Sequence, residues 1–132
     1  MKSLVMSLFF MIAGFAFAQE KISILEIDKA KEYLHLNEEQ YKVIKLKTVR
    51  INTILNEDQK IIEGLKERFK NGDEPGFFEK ISVKRGRDKR KGDIEDLLEE
   101  IKEQLNDKQL MKFKSIEKPG LKSLSKKELT DN

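Results

Sequence analysis

The sequence predicts an all-α fold, and three observations carry that expectation. Beyond Gln19 apolar residues recur at helical spacing, strand-like alternation is nowhere sustained, and helix-start and helix-stop signals alternate along the chain. The composition bounds what such a fold can do. Of 132 residues, 39% are charged and 38% hydrophobic, and 27 Lys+Arg stand against 24 Asp+Glu for a net charge of +3. That near-balance excludes a broadly cationic nucleic-acid coat, and so polar a chain buries only a thin core. With no Cys, there is no disulfide framework, thiolate metal site, Cys nucleophile or lipid-modified Cys.

The first segment reads as an address. Residues 1–18, MKSLVMSLFFMIAGFAFA, have a positive start at Lys2, an apolar run from Leu4, and a small-x-small ending at Ala16 and Ala18. That order is the pattern of a secretory signal peptide, and the run is short beside the roughly 20 apolar residues of a spanning helix. Cleavage after Ala18 is expected, with a mature chain from Gln19 and a periplasmic location in a cell with two membranes. Export removes ATP as an energy supply and chromosomal DNA as a partner.

A single domain is expected over residues 19–120, followed by a flexible Lys-rich tail, 121–132. A first short helix is predicted at about 22–34. Asn37 then serves as N-cap of a long helix, with Glu38 and Glu39 facing the positive helix end and Gln40 at N3 reaching back. The helix should run to about Lys70. Ile44, Ile51 and Leu65 occupy one heptad position and Leu55, Ile62 and Phe69 another, while Thr48 and Asp58 interrupt the two rows. Asn71-Gly72-Asp73-Glu74-Pro75-Gly76 stops it, since Gly72 accepts a left-handed cap and Pro75 blocks continuation.

Phe77, Phe78 and Ile81 restart an apolar face, and Ile94, Leu97, Leu98, Ile101 and Leu105 continue one. Between them Gly86 and Gly92 each cost about 1 kcal/mol in a helix interior, so a bent or frayed helix is expected there, with Asp93 and Asp96 capping a fresh start. A last helix should begin after Asn106 and run to about Glu117, ended by Lys118-Pro119-Gly120. Met111 and Phe113 are expected in the core.

One internal repeat stands out. Leu36-Asn37-Glu38-Glu39-Gln40 and Leu105-Asn106-Asp107-Lys108-Gln109 are each a Leu, an Asn cap, two polar residues and a Gln at N3. One precedes a long helix and the other a short terminal helix. This organisation resembles the LTxxQ-motif family of periplasmic proteins, the Spy/CpxP type, over roughly residues 30–117. Asn stands for Thr at both sites, which keeps the capping role. The resemblance implies a long bent helical hairpin with short flanking helices in a cradle-like homodimer. It also implies an ATP-independent chaperone of the envelope stress response that holds unfolded or misfolded envelope proteins. A second copy would cover what a thin hairpin leaves exposed.

Client contact needs charge for encounter and apolar surface for holding. The run from Lys84 to Lys91 has six positive residues among eight, and Arg85, Arg87, Lys89 and Arg90 are its candidate client-binding residues. Phe77, Phe78 and Ile81 are the apolar candidates. Acidic client segments or anionic lipid head groups would suit the charge. Nucleic acid is disfavoured by the lack of interleaved aromatics. Two other readings come from different classes. One is an accessory regulator that docks on a membrane sensor kinase of the envelope stress response, and the other is a metal-responsive binding protein built around His35. A lone His without Cys is a poor transition-metal site unless carboxylates or a partner copy complete it. No cofactor is expected, and no nucleophile, phosphate loop or matched acid-base pair points to an enzyme.

Overall fold

The computed structural model describes residues 21–124 and Leu129. The signal-peptide expectation at residues 1–18 lies outside the described residues, as does most of the tail beyond 124. Among the described residues four helices of more than one residue are seen: α1 Ile27–Leu34, α2 Glu38–Lys70, α3 Phe77–Glu103 and α4 Asp107–Phe113. Among the described residues there is no strand, only an isolated parallel bridge between Ser23 and Glu117.

That bridge explains two shortened helices. Ile24 donates to the Glu117 carbonyl at 3.1 Å and Glu117 to the Ile22 carbonyl at 2.8 Å, so the chain at Ser23 and Glu117 pairs as a bridge flanked by turns instead of continuing a helix. The predicted first helix therefore starts at Ile27 instead of 22, and the last ends at Phe113 instead of 117. The pairing fastens Ile24 and Ile116, both buried, over the core.

α1 ends in a Schellman motif: the His35 amide bonds the Glu32 carbonyl and the Leu36 amide the Lys31 carbonyl, with His35 in the left-handed region at φ 56°. α2 ends the same way around Gly72, at φ 77°, where a glycine carries no steric penalty. The two long helices run antiparallel. Lys47 pairs with Glu100, Asp58 with Arg87 and Arg90, and Arg68 with Glu79, so the partner number falls along α3 as it rises along α2.

The seam of α2 comprises Ile44, Thr48, Ile51, Ile54, Asp58, Ile62 and Leu65, all buried. Thr48 and Asp58 are thus members of the stripe and not interruptions of it. Thr48 is satisfied by donating its hydroxyl to the Lys45 carbonyl at 2.8 Å. α3 is continuous through Gly86 and Gly92, and Asp93 and Asp96 lie inside it rather than at a new start. Its Lys, Arg, Glu and Leu residues are good helix formers over 27 positions and offset the two glycines. The core lies at one end, where Leu34, Leu36, Ile44, Ile51, Ile94, Ile101, Leu105 and Phe113 meet Ile24 and Ile116. Met111, expected inside, is instead 71% exposed, because α4 has only seven residues and turns Gln109 and Phe113 inward.

Candidate functional site

Both repeated elements form complete capping boxes. Asn37 Oδ1 accepts from the Gln40 amide at 2.8 Å and Gln40 Oε1 from the Asn37 amide at 3.0 Å. In the second, Asn106 Oδ1 accepts from the Gln109 amide and Gln109 Oε1 from the Asn106 amide, both at 2.9 Å. Leu36 and Leu105, the leading residues, are buried in the core. A third Leu-Asn-x-x-Gln, at Leu55–Gln59, lies inside α2 and caps nothing; Gln59 there donates to Glu63.

The structure brings the two elements together. Gln40 Nε2 donates to Gln109 Oε1 at 2.8 Å and Gln109 Nε2 to Gln40 Oε1 at 3.1 Å, a reciprocal amide pair across 69 residues of sequence. The second hydrogen of each amide is exchanged as well. Gln40 donates to the carbonyl of Gln104, which ends α3, and Gln109 to the carbonyl of His35, which ends α1. Each glutamine therefore closes the start of its own helix and the end of the helix preceding the other element. A primary amide has two donors and two acceptor sites, and all four are used in both residues. This also explains Gln rather than Glu at N3. Either serves a capping box, but only the amide supplies the two donors.

The basic run is divided by the helix it lies on. Arg87 and Arg90 turn into the seam, where Arg87 Nε and Nη2 reach the Asp58 carboxylate at 3.1 and 3.0 Å and Arg90 Nε reaches it at 3.0 Å. The three side chains are 12%, 15% and 4% exposed. Burial raises the Asp58 pKa, but the hydrogen bonds and charges of Arg87 and Arg90 outweigh it and hold the carboxyl below its ordinary value. Arg87 also donates to the Lys122 carbonyl, tying the first residues of the tail to α3. A Cβ on Gly86 would lie 3.3 Å from Arg90 Nη1, so the missing side chain leaves room for that guanidinium. Arg85 and Lys89 face solvent, Lys89 pairing with Asp93 at 3.2 Å.

The apolar candidates stand at the turn. Phe77 and Phe78 are 72% and 83% exposed and touch each other edge to face at 5.6 Å, while Ile81 is half-buried. Beside them a cleft of about 370 Å³ is lined by Leu65, Phe69, Pro75 and Val83, with Leu124 and Leu129 contributed by the tail. Arg68 spans the turn, paired with Asp73 and Glu79; those hydrogen bonds, Glu79's first, hold its guanidinium firmly protonated and both carboxyls low.

His35 is exposed, and what it brings to the paired elements is its carbonyl. Among the described residues no cluster of His, Asp and Glu has metal-site geometry. Sequence reasoning missed the Gln40–Gln109 exchange and the Asp58 triad. The signals were the amide at N3 in both copies, and an acid in the α2 stripe opposite two arginines in the stripe of α3. Comparison with protein-family models, with curated proteins and with solved structures finds no match to this chain.

Proposed function

We propose that this protein is an exported, ATP-independent chaperone of the Spy/CpxP type that binds non-native envelope proteins. On this proposal residues 1–18 are a cleaved signal peptide, the two long helices form a bent hairpin, and two copies make a cradle-like homodimer in the periplasm. The observation that carries it is the interlock of the two Leu-Asn-x-x-Gln elements. One capping box is a common helix start, but two that share a reciprocal amide pair act as a unit, which supports reading the repeat as one device and not as two coincident helix starts. The exposed surface suits the task too. Arg85 and Lys89 offer solvent-facing charge for encounter, and Phe77 and Phe78 offer apolar contact that tolerates any client sequence. Arg87 and Arg90, committed to Asp58, have little left to offer a client.

The test is aggregation of two unrelated denatured proteins, followed by light scattering without nucleotide. Suppression of both at near-stoichiometric ratios is expected. Protection of neither, or of one only, would overturn the proposal.

A further inference from the structure

The turn between α2 and α3 concentrates exposed aromatic and basic side chains at one end of the molecule, an arrangement that also suits a flat anionic surface. Phe77 and Phe78 are the two most exposed large apolar side chains of the described residues, adjacent in sequence and edge to face on one another. They sit at the far end of α2, a helix about 50 Å long at 1.5 Å per residue, away from the core. Between Asp58 and Lys91, the paired helix segments that lead to the turn and back, there are eleven Lys+Arg against seven Asp+Glu, a local charge of +4 where the whole chain carries +3. The acids at the turn are also engaged: Asp73 and Glu79 by Arg68, and Glu74 by Lys80. Lys70, which ends α2, and Lys84 and Arg85, each seven residues or about two helical turns beyond Phe77 and Phe78 on the same face of α3, are exposed and have no ion pair among the described residues.

From this juxtaposition we infer that the turn is a membrane-docking tip: Phe77 and Phe78 enter the interfacial zone of an anionic phospholipid surface while Lys70, Lys84 and Arg85 meet its head groups. Charge complementarity selects this occupant. Aromatic side chains gain by leaving water at the depth of the head groups, and long basic side chains keep their stems near the apolar zone with their charges in the head-group layer. A terminal, projecting pair can enter a flat surface without unfolding anything behind it. The rest of the molecule carries no comparable excess of positive charge, so the turn is the end that an anionic surface attracts. No described helix is long and apolar enough to cross a membrane, so this is attachment and not insertion of a span. The inference does not depend on the chaperone proposal.

The chain contains no Trp, so Phe78→Trp places one fluorophore at the tip. The full chain carrying this substitution is mixed with vesicles of phosphatidylglycerol and phosphatidylcholine, or of phosphatidylcholine alone. Residues 1–18 are common to every protein compared, and the indole reports only its own surroundings. Expected are a blue shift and quenching by brominated lipid on the anionic vesicles. Lys84→Gln with Arg85→Gln should weaken the response roughly 25-fold, at about fivefold for each basic residue near the surface. Unshifted, unquenched emission on anionic vesicles would overturn the inference even if the protein sediments with them. Equal responses on neutral vesicles would overturn it too, as would a blue shift caused by a denatured protein but not by vesicles.

Discussion

The two ends of the molecule are fastened by opposite chemistries. At one end, neutral amides hold one terminus of each of α1, α2, α3 and α4, with every donor and acceptor of Gln40 and Gln109 used. Toward the other, an aspartate and two arginines hold the seam beyond the main apolar cluster, with Ile62 and Leu65 buried past them. A saturated neutral network costs little to bury, and it fixes geometry because every partner is specified. A buried ion triad costs far more desolvation and holds only while all its members are present. The molecule thus has a specified, core-backed end and an electrostatically clamped one, and among the described residues the exposed aromatic side chains, Phe77 and Phe78, lie toward the second.

Breaking the clamp should have the largest effect. Asp58→Ala leaves Arg87 and Arg90 facing each other in the seam without their anion, and the expected loss is about 3 kcal/mol, measurable by urea unfolding. Replacing Asp58, Arg87 and Arg90 together by Leu or Met should cost far less, because no charge is then stranded. A triple variant as unstable as Asp58→Ala would show that the triad stabilises by more than mutual compensation. The pH dependence has a definite sign. Asp58 has a folded pKa below its unfolded value, so its contribution is complete above about pH 4 and is lost as pH falls through the folded value. The parent should lose stability there more steeply than Asp58→Asn. Glu26, Glu38, Asp73 and Glu79 are lowered too and keep some slope in both proteins.

At the amide end the sharper probe is Gln109→Glu. If the residue served only its capping box, glutamate would be at least as good, with its charge facing the helix start. The interlock predicts the opposite. The carboxylate donates nothing to the His35 carbonyl or to Gln40 Oε1 and places its charge against both acceptors. A loss of about 2 kcal/mol is expected, since two part-buried acceptors lose their donor and face a negative charge instead. Gln40→Glu should behave alike, and the double variant should show strong non-additivity in a cycle of unfolding free energies. Equal or higher stability for Gln109→Glu would reduce the motif to two independent helix starts.

How much of this was legible in the sequence differs between the ends. The caps at Asn37 and Asn106, the stop at Gly72 and the extent of α2 depend on residues within one helical turn, and local pattern sufficed. The exchange between Gln40 and Gln109 is a tertiary contact, and nothing in either pentapeptide says that it will meet the other. The basic run failed for a related reason. Read as a linear charge block it is uniform, but position on the helix separates Arg87 and Arg90 from Arg85 and Lys89. Continuing the Ile94–Ile101 stripe backward along α3 passes through Arg90 and Arg87, and the polar position of the facing stripe is Asp58. Pairing the two stripes, instead of treating Asp58 as a fault in one, would have found the triad. The Ser23–Glu117 bridge left no comparable trace, because its two segments adjoin helices and differ from them only in what they pair with.

The smallest predicted effect falls where the two chemistries are most separable, at His35. Its backbone holds φ 56°, a conformation that costs a residue with a Cβ roughly 1–2 kcal/mol. What it gives the interlock is its carbonyl, and the exposed imidazole is not among the bonds of the paired elements. His35→Gly should keep that carbonyl in place while removing the steric cost. Part of the gain is returned as extra freedom of the unfolded chain, so a net stabilisation of about 0.5–1 kcal/mol is expected in urea unfolding. Combined with Gln109→Glu the gain should persist, because left-handed strain belongs to the α1 end and not to the amide pair. Loss of stability in His35→Gly would mean that the imidazole itself supports this end, and would reopen the case for a ligand there.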